Sequence, residues 1–293
     1  MEHFYDNSVK ELLNNHGIKS LKQLGQNFLI DSSIPEEIIR LSGLDENCGV
    51  LEVGPGLGAL TLPLSQTVGH VTAVELDKRL LPILNDLFSD IENTDILYGD
   101  ILKLDIKGLI TEKTPGLTYH VCSNLPYNIT SPALTTFIES GVFDTITVMI
   151  QREVARRICA APGSSEYGAF TVYVNYHSAP QLLFDVPPDC FFPRPGVYSS
   201  VITLKLRKEH MLAQADEARF FRVVRAAFAQ RRKTLVNALY ASFNQSMTKE
   251  GITNIVRKCG HDVLIRGEKL SIDEFARLSE FFTANQKSFD FPC

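Results

Sequence analysis

The chain has 293 residues, 44% hydrophobic and 22% charged, enough for one large domain and a second, smaller one. Its longest apolar runs, such as residues 145–150, are far too short to span a bilayer, and its apolar content is that of a globular protein. The net charge of −5 argues against nucleic acid only when taken whole: residues 1–150 hold 9 Lys and Arg against 20 Asp and Glu, a balance of −11, and residues 151–293 hold 20 against 14, a balance of +6.

The polar start at residues 1–10 carries no apolar signal segment, which points to the cytoplasm. Cys48, Cys122, Cys159, Cys190, Cys259 and Cys293 form no Cys-x-x-Cys pair, and no His stands at ligand spacing, so no metal is expected. Residues 50–54 read as a first strand that runs into Gly54-Pro55-Gly56-Leu57-Gly58 and then a helix. Glycines there let the backbone approach a ligand, and the helix start offers free N–H donors. Gly54, Gly56 and Ala59 also fit the dinucleotide fingerprint, so the turn alone does not separate NAD from S-adenosylmethionine. Residues 71–77 read as a second strand, and Glu75 on it can accept from ribose hydroxyls, which both cofactors carry. Asp77 reads as a helix cap. A third strand at 95–100 ends in Gly99-Asp100, where an acid can accept from an adenine amine.

The fourth strand, 119–124, closes on Asn124-Leu125-Pro126-Tyr127. The Asn amide oxygen can accept one hydrogen of a base's exocyclic amine, and the Leu125 or Pro126 carbonyl the other. Tyr127 can stack on the base, a contact worth about 1–3 kcal/mol. A hydride transferase has no use for this arrangement. A fifth strand spans 145–151, and helical spacing at 80–88 and 132–139 completes the alternation of a parallel sheet flanked by helices.

After a helix at 152–160, β-rich runs at 170–176 and 199–207 are separated by loop signals at Pro187, Pro188, Pro193 and Pro195. They predict an antiparallel pair ending a seven-stranded sheet, an α/β arrangement that resembles the Rossmann-like class I methyltransferases. From residue 209 the texture is helical, at 216–229, 230–243, 254–259 and 271–283, with Ser271 and Glu274 as a capping box. The expected domains are therefore 1–208, a methyltransferase domain, and 209–293, a helical domain, joined by a linker near 208–213. Cations cluster at Arg152, Arg156 and Arg157, at Lys205, Arg207 and Lys208, at Arg219, Arg222 and Arg225, and at Arg231, Arg232 and Lys233. Four clusters together point to an anion-binding face, with Arg222, Arg225, Arg231, Arg232 and Lys233 as its expected contacts.

In order along the chain, Gly25-Gln26-Asn27-Phe28-Leu29, Glu52-x-Gly54-x-Gly56-x-Gly58, Glu75, Asp100, Asn124-Leu125-Pro126-Tyr127 and Phe191-x-Pro193-x-Pro195-x-Val197-x-Ser199 resemble the adenine dimethyltransferases of ribosomal RNA. Gln230-Arg231-Arg232-Lys233 and Arg266-Gly267-Glu268-Lys269-Leu270-Ser271 resemble the small-subunit KsgA/RsmA branch. The resemblance implies cofactor contacts from Asn27, Leu29, Gly54, Glu75, Asp100 and Asn124, and base contacts from Asn124, Tyr127 and Phe191. It implies S-adenosylmethionine as cofactor and dimethylation of two adjacent adenosines near the 3′ end of 16S rRNA, on a 30S assembly particle. Nothing in the sequence asks for more than a monomer. Ser165 and Ala169 stand where family members often carry basic residues, which argues against RNA contact through that loop. The alternatives are the resistance branch acting on large-subunit rRNA and a ribosome assembly factor without catalysis.

Overall fold

The structure, a computed structural model, describes residues 26–111, 116–209 and 211–282, together with Val9, Glu11 and Leu12. Residues 1–10 other than Val9, Gly25 of the N-terminal motif, His210 of the linker, Thr283 of the last expected helix, and Cys293 lie outside the described residues.

Nine strands are described: β1 (Phe28–Leu29), β2 (Cys48–Val53), β3 (His70–Glu75), β4 (Thr94–Tyr98), β5 (Thr118–Asn124), β6 (Thr145–Gln151), β7 (Ser178–Val186), β8 (Phe191–Phe192) and β9 (Ser199–Leu206). Seven form one sheet in the order β4-β3-β2-β5-β6-β9-β7, while β1 and β8 pair separately. From β4 to β6 the neighbours are parallel, and β9 runs antiparallel to β6. β2 is buried along its whole length, which is why its sequence shows no apolar–polar alternation and Glu52 is its one charged residue. Val50, Val71, Cys122, Met149 and Val201 join five of the strands in one apolar cluster. Each large aliphatic side chain so buried stabilises the fold by about 1.5–3 kcal/mol.

The helices flanking these strands are α1 (Ser33–Ser42), α2 (Thr61–Ser65), α3 (Leu81–Leu87), α4 (Ile106–Thr111), α5 (Thr130–Ser140) and α6 (Arg152–Ile158). They are followed by α7 (Ala169–His177), α8 (Gln214–Ala229), α9 (Leu235–Phe243), α10 (Lys249–Lys258) and α11 (Ile272–Ser279).

Two expectations need correction. Residues 170–176, read as a strand, form most of α7. The run is β-branched and aromatic, but burial of Thr171, Val172, Tyr173, Val174 and Tyr176 outweighs that weak local preference. Tyr173 and Tyr176 lie 5.5 and 5.0 Å, centroid to centroid, from Phe221 and Phe220 of α8. The strand comes next, as β7, whose Pro180 is accommodated because β7 is the sheet's edge. The second correction concerns 230–243, where residues 230–233 are a turn and the helix starts only after Thr234, whose hydroxyl accepts from Asn237 N–H at 3.4 Å. The capping box is formed: Ser271 N–H donates to Glu274 Oε2 at 2.7 Å, and Glu274 N–H to Ser271 Oγ at 3.3 Å.

The chain divides into two compact units, Met1–Ala155 with Gln181–Leu206, and Arg156–Pro180 with Arg207–Cys293. The second therefore takes in residues 156–180, including α7, beyond the helical segment expected from residue 209.

Candidate active site

The site begins where β2 and β5 part. Their ladder ends at Leu51↔Val121, whereas β2 stays paired with β3 to Val53↔Val74, and β5 with β6 to Asn124↔Met149. Past that point the buried Ser123 hydroxyl bridges the strands, accepting from Val53 N–H at 3.2 Å and donating to Val53 O at 2.7 Å. One side chain thus satisfies both backbone groups while the carboxyl ends diverge. This is the switch point of the sheet, where open α/β folds bind ligands. The opening is a cleft of about 810 Å³ lined by Asn27, Gly54, Glu75, Asp100, Asn124 and Tyr127, among others. A smaller cavity of about 370 Å³ shares Asn27, Gly54 and Asn124 and adds Leu29 and Glu52.

Gly54 and Gly56 line the cleft with left-handed φ of 68° and 62°, and Gly58, in the same turn, has a φ of 84°. At Gly58 any side chain is excluded twice over, because its Cβ would lie 2.6 Å from the Phe88 ring. Glu75 ends β3 with its carboxylate turned to the loop: Oε2 accepts from Gly56 N–H at 3.3 Å and Oε1 from Asp77 N–H at 2.7 Å. Burial raises the Glu75 pKa, and these two N–H bonds oppose the rise. Asp77 is held by Arg79, which donates to it from Nε at 2.9 Å, and by Gln26 Nε2 at 2.9 Å. Arg79 is the main reason its pKa falls to about 2. Asp100 follows β4, and its ion pair with Lys103, at 2.9 Å, holds its carboxyl below the ordinary value.

Asn124, the last residue of β5, donates from Nδ2 to Asn27 O at 3.4 Å. Among the described residues its Oδ1 accepts no hydrogen bond. The Pro126 carbonyl already accepts from Ile129 N–H at 3.1 Å and Thr130 Oγ1 at 3.5 Å. Leu125 O has no donor among the described residues, so the second acceptor left open by the sequence is Leu125. The Tyr127 phenol is 2.7 Å from Ser199 Oγ, and burial raises its pKa.

Three expected contacts sit elsewhere. Phe191 is 3% exposed and lies in the apolar cluster with Leu29, Ile38 and Val50, outside the lining of the cleft. Its place is structural: it pairs with Leu29 across β1 and β8, and Cys190 O accepts from Ile30 N–H at 2.9 Å. This ladder fastens the N-terminal motif at the cleft, and Leu29 lines the smaller cavity rather than the main one. Arg231 is committed within the helical unit, donating to Glu268 Oε2 at 3.2 Å, to Tyr167 O at 3.2 Å and to Ser165 O. Arg232 and Lys233 are exposed, and their side chains make no ion pair among the described residues. Arg222 and Arg225 are half-buried on α8, with the Arg222 guanidinium 4.6 Å from the Phe243 ring centre.

Sequence reasoning gave no role to three residues at this site, two of which, Glu52 and Ser199, it quoted only as members of a motif. Ser123 and Ser199 are small enough to read as strand filler, although Ser199 closes a motif. Glu52 lies inside the first strand, and it is 1% exposed with no partner for Oε2. Burial, with the neighbouring Glu75 charge adding to it, raises its carboxyl to about 8.

Residues 17–283 match the family described as ribosomal RNA adenine dimethylase. The chain belongs to this family. It is 42% identical to the ribosomal RNA small subunit methyltransferase A of Lachnoclostridium phytofermentans over 94% of this chain and 96% of that one. It is 44% identical to the protein of the same name in Shouchella clausii, over 92% of each. Among solved structures, a dimethyladenosine transferase from Plasmodium falciparum is similar with a TM-score of 0.71, at 23% identity, covering 86% of this chain and 95% of that one. The 23S rRNA methyltransferase ErmE follows with a TM-score of 0.67, at 25% identity, covering 87% and 99%.

S-adenosylmethionine is the family's methyl donor, and two features of the cleft fit it. The glycine floor admits close backbone contact with a ligand. The partnerless, buried Glu52 Oε2 beside the smaller cavity suits a ligand that carries an ammonium group.

Proposed function

We propose that this chain dimethylates the exocyclic amines of two adjacent adenosines near the 3′ end of small-subunit rRNA, as a monomer acting on a 30S assembly particle in the cytoplasm. The observation that carries this reading is the pair of open acceptors at the end of β5, Asn124 Oδ1 and Leu125 O. Membership of the family makes the enzyme an rRNA adenine dimethyltransferase, and the names of the 42–44% identical relatives favour the small subunit.

When bound, S-adenosylmethionine supplies an electrophilic methyl group on a positively charged sulfur. Glu75 holds the ribose hydroxyls, Asp100 the adenine amine, and the backbone at Asn27, Leu29 and Gly54 encloses the remainder. Adenine's amine is a poor nucleophile because its lone pair is delocalised into the ring. By accepting both amine hydrogens, Asn124 and Leu125 favour a pyramidal nitrogen whose lone pair points at the methyl carbon. Tyr127 stacks on the unstacked base and fixes its plane. The nitrogen sheds a proton to water afterwards, so positioning and electrostatics carry the rate and no strong base is required. In the second round the monomethyl amine has one hydrogen left, and one acceptor suffices. Arg232 and Lys233, with Arg222 and Arg225, hold the RNA backbone from the helical unit.

The likeness to ErmE gives a second reading, methylation of large-subunit rRNA. Transfer of labelled methyl to 30S subunits lacking the modification, compared with protein-free large-subunit RNA, separates the two. Dimethyladenosine at neighbouring positions of 30S is the expected result, and label confined to large-subunit RNA would overturn the small-subunit assignment.

A further inference from the structure

Ser199 is the last residue of the Phe191-x-Pro-x-Pro-x-Val-x-Ser motif and the first of β9, and it is fully buried. Its hydroxyl lies 2.7 Å from the phenol of Tyr127, 72 residues earlier, and among the described residues neither hydroxyl has another hydrogen-bond partner. The two ends of this bond are held very differently. Tyr127 opens a three-residue 3-10 turn whose bonds, Ile129 N–H to Pro126 O and Thr130 Oγ1 to Tyr127 O among them, hold its backbone and do not fix the angle of the ring. Ser199 stands on a strand registered with β6 from Gln151↔Ser199 to Thr145↔Lys205, reinforced by Arg152 N–H donating to Tyr198 O at 3.0 Å. The phenol is therefore the ring's polar tether to the sheet, and the sheet also carries Asn124, paired with Met149, whose carbonyl accepts from Leu125 N–H at 3.1 Å.

We propose that Ser199 is a positioning residue for methyl transfer: its hydroxyl fixes the plane of the Tyr127 ring, so that a base stacked there lies level with the acceptors Asn124 Oδ1 and Leu125 O. This rests on the reading of Tyr127 as the stacking wall. A hydroxyl pair that served folding alone would affect stability and leave the chemistry untouched. A pair that aims the ring must affect turnover, and the second methylation most, because the monomethyl amine has only one hydrogen with which to find its place.

The test is a double-mutant cycle of Ser199→Ala and Tyr127→Phe, read as kcat, KM for each substrate, and the ratio of monomethyl to dimethyl product on 30S subunits. Tyr127→Phe keeps the stacking ring and serves even if Ser199→Ala fails to fold. Each variant is expected to lose about tenfold in kcat, with KM for S-adenosylmethionine unchanged and the monomethyl share raised. The double variant should be no worse than either single one. Wild-type kcat and product ratio in Tyr127→Phe, or losses that add in the double variant, would overturn the proposal. A wild-type protein that methylates no rRNA would instead overturn the functional reading beneath it.

Discussion

Two oxygens at the end of β5 define the chemistry, and both are open for a local reason. Asn124 spends its amide nitrogen on Asn27 O, leaving Oδ1, while the turn after Pro126 consumes the Pro126 carbonyl and spares that of Leu125. The Asn is legible in the sequence because of its place at a strand end, but the choice of carbonyl depends on hydrogen bonds in a turn and is not. Glu52 is the other residue whose state follows from its surroundings. Its carboxyl ionises near the ordinary 4.5 when unfolded and at about 8 when folded. Between those values the folded state holds the extra proton, so its contribution to stability is complete below the lower value and is lost as pH rises to the upper one. Each unit of separation is worth about 1.4 kcal/mol. Without cofactor, the melting temperature of Glu52→Gln should therefore fall less than that of the unsubstituted protein from about pH 5 to about pH 8. Parallel pH profiles for the two proteins would contradict a buried, neutral Glu52.

At the scale of elements, six strands are legible to within two residues because their apolar runs are bounded by glycine or polar residues, as at Gly54, Asp100, Asn124 and Gln151. The run at 170–176 is not, since a buried helix and a buried strand both present β-branched and aromatic residues, and only packing on Phe220 and Phe221 decides between them. The turn at 230–233 shows a comparable limit. Three adjacent cations look alike in sequence, yet Arg231 is bound to Glu268 and to the carbonyls of Ser165 and Tyr167, whereas Arg232 and Lys233 make no ion pair among the described residues. The three should separate in experiment. Arg232→Ala with Lys233→Ala is expected to weaken RNA binding and flatten its salt dependence by about one to two phosphate contacts, with little change in melting temperature. Arg231→Ala should mainly lower the melting temperature. Equal salt slopes for both variants and the unsubstituted protein would move the RNA surface elsewhere.

For the whole molecule, the net charge of −5 hides a chain whose second half is basic, an asymmetry that residue counts alone reveal. The compass of the helical unit is harder to read. Residues 156–180 belong with it because α7 presents its aromatic side chains to α8, a contact between segments some fifty residues apart that no local pattern announces. The most direct measurement is nucleoside analysis of 16S rRNA from cells that lack the modification and carry either the unsubstituted chain or Asn124→Ala, with S-adenosylmethionine affinity measured on both proteins. The unsubstituted chain is expected to restore dimethyladenosine at two adjacent positions. Asn124→Ala is expected to restore none while keeping cofactor affinity within about tenfold. Dimethyladenosine at normal levels with Asn124→Ala, or none with the unsubstituted chain, would contradict the assignment of the open acceptors to adenine methylation.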